Sequence, residues 1–288
     1  LEIRNRVMQK LSLKAVDLDR IIIHQRKIND VWARDCGPIF VKTEEGFAIT
    51  DWGYNAWGEK YPPWEDDNSL PQYIANKFSI DRIVPEMILE GGSIDVNGDG
   101  ALLTTESVLL NENRNPNLSK EEIEKRLQRY LGVEQIIWLK RGLAGDDTDG
   151  HIDDITRFLN KDTVMTMVCD DENDVNFDSL QENLEILRSV TLKNGKPLNI
   201  ETLPLPQTKI EGTTVDGSEY VPASYANFYI ANGVVLVPTY DKRYDGQALE
   251  LLRKYFPTRK VIGIDCADLV WGQGSIHCIT QQWYGINH

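Results

Sequence analysis

The chain has 288 residues, with 45 acidic against 31 basic side chains and a formal net charge of −14. Nucleic acid demands a basic face, so this balance excludes it as the expected partner and suits a small cation instead. With 41% hydrophobic and 26% charged residues, the composition is that of a water-soluble globular protein. No apolar run approaches the roughly 18 residues that a membrane span requires, so a single domain over 1–288 away from the membrane is expected.

In chain order, the first strand signals are Pro38–Val41 and Phe47–Thr50, around a turn at Glu44–Gly46. A long polar stretch, Asn55–Asn68, then reads as a surface loop of the kind that often covers a site. A helix is expected near Leu70–Phe78 and a strand over Arg82–Leu89. The second round opens at Gly92–Val96 and turns at Asn97-Gly98-Asp99-Gly100, where glycine accepts positive φ. It returns through Ala101–Thr104. Ser119 and Glu122 form a capping-box pair ahead of Ile123, Leu127 and Tyr130 at helical spacing, and Ile136–Leu139 closes the round.

A third round runs through His151–Phe158, Thr163–Cys169, a helix near Leu180–Thr191 and a strand near Leu198–Leu203. A fourth uses Ser224–Ala231, Val234–Val237, a helix over Gln247–Tyr255 and a strand over Lys260–Ile264. Gly274–Thr280 reads as the opening strand of a fifth. The grammar repeats every roughly 55–75 residues, which is the mark of an array of like units.

Cys36, Cys169, Cys266 and Cys278 are scattered, with no CxxC pair. That favours reduced thiols in a cytoplasmic protein over a disulfide framework. Neither a phosphate loop nor a metal motif is present, so no cofactor and no metal are expected. Cys278 follows a Gly272-Gln273-Gly274-Ser275 run that lets the backbone approach a ligand. If Cys278 sits on a strand, neighbouring His277 points to the opposite face and the base must come from elsewhere. Of the four histidines, His288 is terminal and His24 lies in an apolar stretch read as strand. His151, two residues from Asp153, is therefore the better general acid/base candidate.

Glu90 stands at the Gly91-Gly92 turn and Asp35 before the Gly37-Pro38 turn. Asp35, Glu90, His151 and Cys278 all fall near the start of a round. If the rounds pack about a pseudo-symmetry axis, these ends converge on one small pocket. Carboxylates bind a planar guanidinium by paired charge-assisted hydrogen bonds, and a bound cation lowers the pKa of a nearby thiol.

Six segments carry a resemblance to a known family. They are Asn29–Pro38, Asp51–Gly58, Leu89–Asp95, Asp147–Asp153, Ala223–Gly233 and Gly274–Gln282. Together they resemble the agmatine deiminase family, grouped with the Porphyromonas-type peptidylarginine deiminases. The resemblance implies an α/β fold of the pentein type, a five-bladed α/β propeller with pseudo-fivefold symmetry and an axial active site. The chain starts at Leu1 without Met, so the expectation is that the N-terminal part of one blade lies outside it.

By the same resemblance Cys278 is the nucleophile and His151 the general acid/base, with Glu90 orienting the histidine. Asp35 and Asp153 hold the guanidinium nitrogens, Trp32 packs along the substrate's alkyl chain, and the Trp57 loop helps to close the site. The implied reaction is hydrolytic deimination of agmatine through a covalent thiouronium intermediate. Alternatives are deimination of peptidyl- or free arginine, and a non-catalytic polyamine- or guanidinium-binding protein. A homo-oligomer is compatible with any of them. The family often carries three glycines and Asn before the Ile-His-Cys run, and here that stretch is Gly272-Gln273-Gly274-Ser275.

Overall fold

The computed structural model describes residues 2–14, 16–214 and 217–284. Its repeating unit is a hairpin, a helix and a third strand. In the first unit β1 (Ile39–Thr43) and β2 (Gly46–Thr50) are antiparallel, and β3 (Asp81–Ile83) lies parallel to β2. The second unit repeats this with β4 (Asp95–Val96), β5 (Ala101–Thr105) and β6 (Gln135–Leu139). The third uses β7 (Thr156–Phe158), β8 (Thr163–Val168) and β9 (Asn199–Pro204), and the fourth β10 (Tyr229–Ala231), β11 (Val234–Thr239) and β12 (Lys260–Asp265). In every unit the second strand lies in the middle. A tight turn joins the antiparallel pair, whereas the parallel neighbour needs a crossover, and a helix supplies it.

Those helices follow α1 (Glu2–Leu13), which buries no residue. They are α2 (Leu70–Phe78), α3 (Lys120–Leu131), α4 (Phe177–Ser189) and α5 (Asp245–Tyr255). The expected capping box is present on α3: Ser119 Oγ accepts from Glu122 N at 3.3 Å, and Glu122 Oε2 accepts from Ser119 N at 2.8 Å. Gly132 ends the helix in the left-handed conformation. The apolar stripe of α3 buries Ile123 and Leu127 against Leu102, Val108 and Leu109 of its own unit. Each such side chain contributes about 1.5–3 kcal/mol by leaving water, so Leu127→Ala is the kind of single change that loosens the unit. All five residues of β5 are buried, as expected for a central strand covered on both faces. A larger cluster joins the second, third and fourth units through Leu103, Leu139, Met165, Leu203, Phe228 and Val237.

The four units appear in the order read from sequence, with differences at their ends. β3 stops at Ile83 rather than Leu89, because Pro85 has no N–H for the ladder; the chain rejoins only as a bridge between Gly53 and Ile88. Gly274–Thr280 is not a strand. It is a run of turns in which Ile279 N donates to Ser275 O at 3.3 Å and Thr280 N to His277 O at 3.1 Å. His24 is likewise in no strand, and its Nδ1 meets Tyr73 Oη at 3.1 Å. His288 lies outside the described residues.

Candidate active site

Each unit begins with a buried polar segment, and these segments meet. Trp32 precedes a short helical turn, Ala33–Cys36, that buries Asp35. The turn Gly91–Ser93 follows Glu90, and Ile152–Asp154 forms a 3-10 turn after His151. His151 and Asp153 were expected on one face of a strand. They share a side by way of this turn instead, because the strand begins only at Thr156. Asn227 leads into β10, and Cys278 comes from the turns after β12.

Distances bind the group together. Asp35 Oδ1 accepts from Gly92 N at 3.0 Å, and Asp35 Oδ2 from Trp57 Nε1 at 3.0 Å. His151 Nδ1 is 3.7 Å from Asp35 Oδ1 and 4.0 Å from Asp153 Oδ1. Cys278 Sγ lies 3.9 Å from Asp153 Oδ2 and receives the Asn227 Nδ2–H at 3.0 Å. Asn227 Nδ2 also donates to Asp154 Oδ1 at 2.9 Å. Gly92 stands at the centre: a Cβ there would fall 2.6 Å from His151 Nδ1 and 2.8 Å from Asp35 Oδ1. Only glycine fits.

The expected residues Asp35, Glu90, His151, Asp153, Trp57 and Cys278 are therefore assembled in one place, all buried. Trp32 is half-buried beside the same cluster; a Cβ on Gly274 would lie 2.4 Å from its ring and 3.0 Å from Cys278 Cβ. One expected contact is not made. Glu90 Oε1 is taken by Arg114 Nε at 2.5 Å, and neither ring nitrogen of His151 bonds Glu90. Arg114 also holds Asp149, and Lys60 reaches Asp149 at 2.7 Å. Trp57 lies in a run, Ala56–Glu59, whose four residues all have φ between 51° and 87°. Left-handed geometry costs a non-glycine residue about 1–2 kcal/mol. The run is fastened by Asn55 Oδ1, which accepts from Gly58 N, and by Lys60 and Tyr61 at the segment around Asp147.

Sequence reasoning missed Asn227, Asp154, Arg114 and His277. Asn227 was findable, since it leads the fourth unit as Glu90 and His151 lead theirs. His277 was set aside because a strand would turn it away from Cys278. In the turn it does not turn away: His277 Nδ1 meets Asp153 Oδ2 at 2.6 Å.

Burial and mutual repulsion of the carboxylates dominate the electrostatics of the site. Burial pushes Asp35 well above the usual carboxylate range, and nearby Asp153 and Glu90 add to that. Burial raises Asp153 to about 7, opposed by Arg157 and Arg34. Burial, then Asp153, raises Asp154 well up. The Cys278 thiol is pushed well above its ordinary value by burial and then by Asp153, Asp154 and Asp35. His151 is held well below 6.5 by burial and then by Arg114. Glu90 Oε2, Asp153 Oδ1 and both nitrogens of His151 are buried with no hydrogen-bond partner among the described residues. Asp153, Asp154 and Cys278 offer ligating atoms within 4.8 Å of one another, the donor set here that would meet a metal ion. His277 and Asn227 already occupy one oxygen of each carboxylate.

The model of the family described as Porphyromonas-type peptidyl-arginine deiminase matches residues 2–283. An agmatine deiminase of Medicago truncatula is 40% identical over 293 residues, covering 92% of this chain and 78% of the relative. The solved agmatine deiminase of Enterococcus faecalis, described as catalysing its reaction, has a TM-score of 0.86 at 36% identity over 95% of this chain and 80% of that one. A Cys-to-Ser variant of the C. jejuni agmatine deiminase with substrate bound has a TM-score of 0.84 at 35% identity over 97% and 81%. With the four repeated units, these relatives bear out the expected pentein fold.

Proposed function

The chain belongs to the Porphyromonas-type peptidyl-arginine deiminase family, and within it we propose a hydrolase that converts agmatine and water to N-carbamoylputrescine and ammonia. The observation that carries this is the set of unpartnered buried acceptors on the acidic floor, Glu90 Oε2 and Asp153 Oδ1, beside the unbonded His151 ring. A guanidinium supplies a positive charge and in-plane N–H donors, which is what these atoms lack. Entry of the cation also offsets the neighbouring negative charge that, after burial, raises the Cys278 and Asp35 pKa values.

In the proposed sequence the Cys278 proton passes to His151 and the thiolate adds to the guanidinium carbon. His151 returns the proton to a terminal nitrogen, the C–N bond breaks and ammonia leaves. The charge then resides on an S-linked thiouronium. Water adds to its carbon, giving a proton to His151. The C–S bond breaks, the thiolate is restored and the protonated urea departs, losing its proton to solvent, where the ammonia released earlier takes it up as ammonium. Asp35 and Asp153 hold the cation, Asn227 donates to the sulfur when it becomes anionic, and the Trp32 and Trp57 rings wall the alkyl chain. No step needs a cofactor.

Agmatine is favoured over arginine by the agmatine deiminases this chain resembles, and two of the cations near the floor, Arg114 and Lys60, are already paired with carboxylates. That leaves neither of them open for an arginine carboxylate. The proposed setting is cytoplasmic: all four cysteines are unpaired, and no described helix is long and apolar enough to cross a membrane. The test is ammonia release from agmatine, free arginine and a blocked arginine peptide, with Cys278→Ala as control. Release from agmatine is expected to exceed the other two and to drop by about 10³-fold or more in the variant with its melting curve unchanged. Faster release from the peptide would move the function to protein deimination, and undiminished activity in the variant would remove Cys278 as the nucleophile.

A further inference from the structure

His277 has no part in the reaction as written, yet it is among the most firmly held side chains near the site. Its backbone N–H donates to Asn227 Oδ1 at 2.9 Å, the same Asn227 that contacts Cys278 Sγ. Its carbonyl accepts from Arg34 Nε at 3.3 Å and from Thr280 Oγ1 at 3.0 Å. The residue is 3% exposed. The backbone is pinned on both sides, and the buried ring places Nδ1 2.6 Å from Asp153 Oδ2.

The two oxygens of Asp153 are thereby given different surroundings. Oδ2 is occupied by His277, whereas Oδ1 is buried without a partner and lies 4.0 Å from His151 Nδ1. On its other side His277 lines a cavity of about 280 Å³ whose walls include Arg34, Asp95, Arg157 and Gln281. None of Cys278, His151, Glu90 or Asp35 lines that cavity. His277 thus separates the substrate floor from a second space behind it. Burial, followed by Arg157 and Arg34, holds the imidazole neutral. A neutral ring carries one N–H, and an ionised Asp153 can only accept, so the proton of this pair belongs on Nδ1.

We infer that His277 is a positioning residue for Asp153: by donating its Nδ1–H to Oδ2 it fixes the carboxylate and aims Oδ1 at the substrate's guanidinium. This rests on the reading above that Asp153 grips that group. The charged and titratable groups facing Asp153 are Arg34 and Asp35 from the first leading turn and Asp95 from β4. Asp146, His151 and Asp154 come from its own segment, Arg157 from β7, and His277 and Cys278 from the last turns. Of these, the pairs and causes above give His277 alone a direct hydrogen bond to an Asp153 oxygen from a nitrogen donor. Loss of that donor removes stabilisation from the ionised form only.

The test is the pH profile of kcat/KM for agmatine, from about pH 6 to about pH 9.5, in four proteins. Wild type is expected to lose activity on the acid side near the Asp153 value of about 7. His277→Gln places its amide one bond too far for Oδ2. Its acid limb should move up by about one unit and its kcat/KM at pH 7 fall about 5-fold, with recovery toward wild type at the alkaline end. His277→Asn carries Nδ2 at the same bond distance from Cα as the lost Nδ1 and should keep the limb within a few tenths of a unit. Asp153→Asn should be defective at every pH. A purely structural role for His277 would lower all pH values alike and gain nothing from Asn. If His277→Gln does not give a cooperative melt, His277→Ala, which has no side-chain donor at all, takes its place. A profile parallel to wild type in the Gln or Ala variant, or an Asn variant as shifted as the Gln variant, overturns the inference alone. A wild-type-like Asp153→Asn overturns the reading of Asp153 and this inference with it.

Discussion

The second unit can be compared with itself, end to end. At its outer end Ser119 and Glu122 complete each other's hydrogen bonds, Gly132 closes α3, and Ile123 and Leu127 are fully buried. At its inner end Glu90 leaves Oε2 without a partner, and Gly92 stands where Asp35, Asp153 and His151 crowd together around two unbonded imidazole nitrogens. The same forty or so residues are thus satisfied where they face the other helices and strands and unsatisfied where they face the axis. The lesson is that the outer ends hold the inner ends in an arrangement those inner residues would not choose for themselves.

The sharpest way to break this comparison is Asp153→Asn. The folded-state value of Asp153 is raised, to about 7 from 3.8. A carboxyl raised in this way favours the fold when protonated. Its contribution is full below about pH 3.8 and is lost as pH rises through about 7, above which the buried charge opposes folding. Asparagine is neutral at every pH. The variant is expected to lose about 10- to 100-fold or more in kcat/KM while melting several degrees higher than wild type at pH 8. That gain should fade as both are titrated toward pH 4. A lower melting temperature at pH 8 would mean the inner end is not strained. Next in size is Trp57→Phe, which removes the indole N–H from Asp35 Oδ2 but keeps most of the aromatic packing. It should lower kcat/KM about 10-fold with little change in melting; unchanged kinetics would leave Asp35 unoriented by the indole. The smallest effect belongs to the outer end. Ser119→Ala should cost about 1 kcal/mol, roughly 2–4 °C in Tm, and leave kcat/KM untouched. A kinetic defect there would show that the two ends are coupled.

What was legible in the sequence follows the same division. Outer features depend on local chemistry, and local chemistry is written in short spacings. The Asn97–Gly100 turn, the Ser119–Glu122 box and the stripe of Ile123 and Leu127 were all readable within a few residues. Inner features depend on where distant segments meet. Asp35, Glu90, His151 and Cys278 could be gathered because each stands at the start of a repeat, and that regularity substitutes for tertiary information. Arg114 has no such position, and nothing in its neighbourhood announces that it will reach Glu90 and Asp149. His277 was misread for a different reason. Ile276 and Cys278 flank it as alternate apolar residues, which is strand-like, whereas the chain there folds into turns whose carbonyls bond three and four residues ahead. Asp95, at the end of the Glu90 segment, ties units together instead, pairing with Arg157 at 2.8 Å and accepting from Phe158 N at 2.7 Å.

Gly92 has a bearing on how such a protein can diverge. The space its missing side chain leaves in the second unit is bounded by Asp35 of the first unit and by His151 and Asp153 of the third, all of which a Cβ there would crowd together. No single compensating change can make room for one more methyl, so this point is closed to gradual drift. The rim is built otherwise, from one contiguous stretch around Trp57 and from Trp32. Descendants that acquire new substrates are therefore expected to keep the floor and rewrite the wall: the part of the molecule that recognises the reacting group is inherited whole, and the part that measures the rest of the substrate is free to vary.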